Sequence, residues 1–149
     1  YTLFSPLSCI YKMSNQIVEN MVYDSKNFEG KILPIKANKL QDYLYNDFPL
    51  MCIPCDRKAS IRKDKINFLG QHVHFHTSPV DIHKITKRSI WIMIPKFNFE
   101  EISIDLEFIP VQRDYDNTPK KIITQNIADI FSKEILNSPE QYLWNFKRF

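Results

Sequence analysis

The sequence predicts an α/β fold, a mixed and mostly parallel sheet flanked by helices. Three observations carry that expectation. Short apolar runs bounded by Pro, Ser and Asn alternate with amphipathic stretches of helical period, the pattern of strand–helix–strand units. At 149 residues and 44% hydrophobic, the chain can bury the core of a single domain over residues 1–149. No internal repeat or low-complexity tract interrupts it.

Taken in order, Leu7 to Met13 reads as a strand after Ser5-Pro6. Ser14 is a suitable N-cap for a helix over 15–23. Lys31-Ile32-Leu33-Pro34-Ile35 reads as the next strand, 38–45 as a helix, and Pro49 to Pro54 as a third strand. Asp56 to Lys65 is charged and aperiodic, with Arg57, Lys58, Arg62, Lys63 and Lys65 against Asp56 and Asp64, and is expected to be an exposed loop. Such loops at the carboxyl ends of strands are where open α/β sheets bind ligands.

Beyond it the chain turns apolar through Phe68-Leu69-Gly70. His72, His74 and His76 then alternate with Val73, Phe75 and Thr77. Ser78-Pro79 opens a helix to about Thr86. Ile90-Trp91-Ile92-Met93-Ile94 is the most apolar run and is expected as a central strand, with Ile102 to Ile109 antiparallel beside it. Arg113 to Pro119 is a polar connection. A helix to about Asn137 follows, its buried stripe formed by Ile123, Ile127, Ile130, Phe131 and Ile135. Ser138 and Pro139 start a last helix, with Gln141 placed for a capping box. Tyr142, Phe146 and Phe149 fall on one of its faces, and Trp144 with Arg148 on another.

The net charge of +3 is scattered, which argues against a strong polyanion partner and is compatible with an anionic lipid surface. The basic loop and the aromatic-basic tail follow no known nucleic-acid module, so no nucleic-acid partner is expected. Cys9, Cys52 and Cys55 are an odd number, favouring reduced thiols over a disulfide framework. No run reaches the roughly 18 apolar residues of a membrane span, so attachment would be peripheral. The start at Tyr1 suggests a piece of a longer protein.

Pro139-Glu140-Gln141-Tyr142-Leu143-Trp144, then Lys147-Arg148-Phe149, resembles the C-terminal signature of the lipid A late acyltransferases, the lauroyl and myristoyl transferases of lipopolysaccharide biosynthesis. In that family a His stands where this chain has Phe146. Cys9-Ile10-Tyr11-Lys12 is similar to the family's strand ending in Tyr-Arg. Gly30 to Pro34 falls where the family has a short strand. Asn67-Phe68-Leu69-Gly70 resembles its Pro-Phe-Phe-Gly, and Thr77-Ser78-Pro79 its Thr-Gly-Pro. In order, these cover nearly the whole chain and would make it the C-terminal half of a member, a partial acyltransferase domain.

The resemblance implies transfer of a fatty acyl group from acyl carrier protein to a hydroxyl of a Kdo-bearing lipid A precursor, at the cytoplasmic face of the bacterial inner membrane. No cofactor or metal is implied. The family's catalytic pair, a His and an Asp or Glu five positions later, belongs upstream of this region, so no catalytic residue is expected here. The chain alone should be inactive, either as a decayed remnant or as the partner of a separately encoded N-terminal half that supplies the pair. His76 and Asp81 match the spacing but fall at the Thr-Gly-Pro step, and read as coincidence. Candidate substrate-binding residues are Lys26, near the place of a family Arg; Asp56, near that of a family Asp, with Cys55 intervening; Arg57 and Lys58; and Lys147 and Arg148.

The alternative is a small zinc-binding module using Cys52, Cys55 and the His72/His74/His76 strand, since two thiolates and imidazoles make a tetrahedral site. Against it, the spacing fits no familiar zinc module. Cysteines three apart on a strand also point to opposite faces.

Overall fold

A computed structural model describes residues 7–11, 32–36, 44, 50–55, 65–111, 114–142 and 144. The chain divides into two compact units, 1–54 and 55–149. In the first, strands β1 (Leu7–Tyr11), β2 (Ile32–Lys36) and β3 (Leu50–Cys52) form a three-stranded sheet in the order β2-β1-β3. Both pairings are parallel, with Leu7 opposite Ile32 and Leu50. The helices expected over 15–23 and 38–45 lie outside the described residues, save Leu44, which is buried.

The described residues of the second unit form two hairpins, two α-helices and a 3-10 turn. β4 (Lys65–Phe68) and β5 (Gln71–His74) pair antiparallel. Their two-residue turn places Leu69 at φ 50° and Gly70 at φ 79°, the left-handed geometry such hairpins need and glycine adopts without strain. Alternation works as the residues dictate: Ile66 and Val73 pair inward, while Asn67 and His72 pair outward. Helix α1 (Ser78–Thr86) follows, with Pro79 in its first turn. It ends on Lys87 at φ 58°, whose N–H bonds the His83 carbonyl at 2.7 Å.

β6 (Trp91–Asn98) and β7 (Ser103–Pro110) form the longer hairpin. Ile92 opposes Ile109 on the inner face. Farther along, Lys96 reaches Glu107 at 2.5 Å and Glu134 at 3.2 Å, and those carboxylates hold its ammonium pKa above the ordinary lysine value. The outer face pairs Trp91 with Pro110, Met93 with Phe108, Pro95 with Leu106 and Phe97 with Ile104, and it is apolar throughout. Asn98 organises the turn by accepting the N–H groups of Glu100 and Glu101 at 3.0 and 3.2 Å.

Helix α2 (Lys120–Asn137) supplies the expected stripe. Ile123, Ile127 and Ile135 are buried, while Ile130 and Phe131 are partly buried against the same core. Around them pack Ile66, Phe68, Phe75, Val80 and Ile92, with the Phe68 and Phe75 rings 5.4 Å apart. Truncating a side chain as enclosed as Ile127 to Ala costs about 2–5 kcal/mol.

The α/β class and the antiparallel partnership of the last two strands are as expected. Three expectations are corrected. Among the described residues the strands form three separate sheets, only the first of them parallel, because the short turns at 69–70 and 99–102 let neighbours pair locally. The Ile90 to Ile94 run is one strand of a two-stranded ladder with an open face, rather than a central strand. Lys65, assigned to the charged loop, begins β4.

The last helix is corrected as well. A 3-10 turn, Pro139–Gln141, gives way to extended backbone at Tyr142, with φ −97° and ψ 136°. Ser138 makes no side-chain cap bond, and the indole of Trp144 donates to the Pro139 carbonyl at 2.7 Å. That bond folds the chain back where a helix would continue.

Candidate functional site

All six residues proposed for substrate binding, Lys26, Asp56, Arg57, Lys58, Lys147 and Arg148, lie outside the described residues, as do Phe146 and Phe149. Geometry describes three of the motif segments, all in the second unit.

Asn67-Phe68-Leu69-Gly70 is the end of β4 and its turn. Phe68 enters the core, and α2 clasps the backbone on either side of it. The Gln125 amide accepts from the Asn67 N–H at 2.9 Å and donates to the Asn67 carbonyl at 2.8 Å, and the Leu69 N–H donates to Ser132 Oγ at 3.1 Å.

Thr77-Ser78-Pro79 is the entry to α1. The Thr77 carbonyl accepts from the N–H groups of Val80 and Asp81, at 3.0 and 3.1 Å, and the Thr77 hydroxyl donates to Asp81 at 3.0 Å. The same carboxylate receives the ammonium of Lys120 from the first turn of α2. Asp81 thus ties the starts of two helices together. His76 precedes this turn and is half-buried.

Within the Pro-Glu-Gln-Tyr segment, Gln141 grips β6. Its amide accepts from the Phe97 N–H at 2.9 Å and donates to the Phe97 carbonyl at 3.2 Å. Tyr142 packs on the core, where burial raises its phenol pKa, and its ring meets Trp144 edge-on at 4.9 Å. The sequence suggested helix capping for Gln141; a long side chain beside an open strand edge finds a better pair of partners there.

A cleft of about 430 Å³ lies between the end of α1 and the open end of the β6–β7 ladder. Its walls include His83, Lys87, Trp91, Tyr115 and Asp116, none of which the sequence reading singled out for this place. His83 is buried, stacks against Tyr115 with ring centroids 4.2 Å apart, and lies with Nδ1 2.6 Å from the Arg88 carbonyl. A carbonyl only accepts, so Nδ1 carries the proton. Nε2 is sealed from solvent and has no hydrogen-bond partner. Tyr115 shares two 3.3 Å bonds with the backbone of Ile90, and burial raises its pKa.

At the rim, Lys87 and Asp116 pair at 2.5 Å, and the ammonium holds the carboxyl below its ordinary value. Both side chains are exposed, so that pair contributes little to stability. The cleft offers a wet rim of paired charges over a sealed imidazole, an arrangement suited to fixing α1 against the ladder.

The zinc alternative is not supported by these positions. Cys55 is buried among the apolar side chains of the second unit's core. His72 and His74 face outward across from Asn67 and Lys65. No group of three His, Cys, Asp or Glu side chains among the described residues is placed to hold a metal ion. Among those residues, too, no helix is long and apolar enough to cross a membrane.

The family model described as bacterial lipid A biosynthesis acyltransferase matches residues 4–149. No curated protein matches the chain.

Proposed function

Because this chain belongs to the bacterial lipid A biosynthesis acyltransferase family, we propose that it is the C-terminal part of such an enzyme, one domain over residues 1–149. In this reading it serves transfer of a fatty acyl group from acyl carrier protein to a hydroxyl of a Kdo-lipid A precursor, at the cytoplasmic face of the inner membrane. The observation that carries the reading is a family match running through both units rather than over one motif.

In acyl transfer of this kind an imidazole takes the hydroxyl proton, a carboxylate orients the imidazole, and a donor or cation receives the charge that develops on the thioester oxygen. We assign the imidazole–carboxylate pair to a part of the enzyme upstream of this sequence. To this chain we assign binding: Lys26, Arg57, Lys58, Lys147 and Arg148 meet the anionic headgroup or the membrane surface, and Asp56 orients the cations beside it. Clustered cations are the groups that recognise phosphate. Asp81 has a structural task in this chain, accepting from the Thr77 hydroxyl and pairing with the Lys120 ammonium.

The test is an acyl-transfer assay with acyl carrier protein thioester and a Kdo-lipid A precursor, run on this chain alone and with a separately produced N-terminal half bearing the pair. Turnover in the mixture alone is expected. Turnover by the chain alone would overturn the placement of the catalytic pair. Absence of turnover in the mixture, with both parts folded and bound, would overturn the proposed activity.

A further inference from the structure

The outer face of the β6–β7 ladder is a continuous apolar surface open to solvent. Eight large side chains, from Trp91 on β6 to Phe108 on β7 and around the turn to Ile102, stand between 37% and 81% exposed. The inner face of the same two strands is covered through Ile92, Ile94 and Ile109, which pack on the core. A two-stranded ladder needs cover to be stable, and this one is covered on one side.

We propose that this face is a self-association surface, on which a second copy of the chain packs ladder to ladder to make a two-layer sandwich. Size is the first argument. At roughly 150–250 Å² for a large side chain, half of it exposed, eight such residues present on the order of 800 Å², the area one partner contributes to a standard interface. Geometry is the second. The outward pairs Met93–Phe108, Pro95–Leu106 and Phe97–Ile104 carry no charge and lie in one sheet surface, and sheets of this kind pack face to face at about 10 Å.

Charge selects both partner and orientation. Glu100 and Glu101 form the tip of the ladder and are exposed. Two copies packed tip to tip would gather four carboxylates. The isologous arrangement that avoids this has its two-fold axis in the interface plane and across the strands, laying each tip toward the opposite end of the partner, where Lys84 is exposed and Lys87 is paired with Asp116. The acidic tip also disfavours an anionic bilayer as the occupant, and burial in hydrocarbon would strip water from ladder edges that a protein layer leaves wet.

The test is sedimentation of the full chain over a wide concentration range, with flotation on vesicles of phosphatidylethanolamine and phosphatidylglycerol in parallel. A reversible dimer is expected. Leu106→Glu, at the centre of the face, should weaken it by about thirtyfold or more, as a charge placed in the middle of an apolar interface does. Ile122→Glu, on exposed α2 surface, should leave it unchanged.

Circular dichroism checks that each variant folds. Should Leu106→Glu unfold, Ile102→Asn serves instead, because it removes an 81% exposed side chain at a φ of 51° that Asn adopts readily. A monomer at all concentrations, open-ended aggregation, an unmoved association in these variants, or vesicle binding lost in Leu106→Glu by an otherwise monomeric chain would each overturn the proposal. So would a monomer that uses this face only for a pair-bearing N-terminal half.

Discussion

Gln141 holds Phe97 by both ends of one peptide group, accepting from its N–H and donating to its carbonyl. The contact closes an edge of β6 with a side chain from the Pro-Glu-Gln-Tyr segment. Gln141→Ala should therefore destabilise the chain by about 1–2 kcal/mol, two neutral hydrogen bonds in a partly wet setting. Gln141→Glu should recover little of this, since a carboxylate faces the Phe97 carbonyl with no proton to offer. Urea unfolding monitored by circular dichroism checks both.

Asp81 and Lys120 should prove structural. Asp81→Ala is expected to cost about 1 kcal/mol, and a double-mutant cycle with Lys120→Met to give a coupling of about 0.5 kcal/mol, as for a partly exposed pair. In the two-part acyl-transfer assay Asp81→Asn should keep most of the turnover. Loss of turnover in a variant that melts like the parent would return His76 and Asp81 to the chemistry.

Cys55 should resist alkylation in the folded chain. With its pKa raised from 9.0 to about 12 by burial, about one thiol in ten thousand is ionised at pH 8. Labelling followed by peptide mass spectrometry should find Cys55 modified only after denaturation. The unfolded thiol ionises first, so the unfolded state binds fewer protons between pH 9 and 12. Stability from this group is complete below pH 9 and falls by up to about 1.4 kcal/mol per pH unit across that window. Cys55→Ala should flatten the slope.

Ile102→Gly should stabilise the β6–β7 turn. A β-branched residue at φ 51° costs about 1–2 kcal/mol, and the exposed Ile102 side chain returns little packing to offset it. The melting temperature reports the change, and a lower value would show that the turn depends on this side chain.

Charge reversal in the proposed headgroup loop, Arg57→Glu with Lys58→Glu, should weaken binding to anionic vesicles by about 1 kcal/mol or more per residue at low ionic strength. Unchanged vesicle binding would remove these two cations from the proposed membrane-facing surface.

Local periodicity announced the second unit well. The Ile stripe of α2 and Ser78-Pro79 at the start of α1 became elements close to their expected bounds, and the apolar run from Ile90 became a strand that continues past Ile94 to Asn98. What it could not supply was the local hairpin of β4 with β5. Lys65 reads as the margin of a charged loop because its side chain is exposed at the first position of β4. The outer side of β6 reads as core in any hydropathy scan, since Trp91, Met93 and Phe97 are apolar whether or not something covers them. Gln141 was misassigned because a capping box is a rule about neighbours in sequence, and its partner lies 44 residues away. The imidazole of His83 gave no local sign, since its place depends on the ring of Tyr115 and a carbonyl beyond the end of its helix.

The position of α2 in the chain has a consequence for synthesis. Gln125, Ser132 and Glu134 reach the β4–β5 turn and the longer ladder from one helix. That helix leaves the ribosome after both hairpins. At about 5–20 residues per second, Phe68, Phe75 and Ile92 wait seconds for the isoleucines that will enclose them. During that interval both sides of the longer hairpin are sticky, which makes the nascent chain, more than the finished protein, the species most in need of a chaperone.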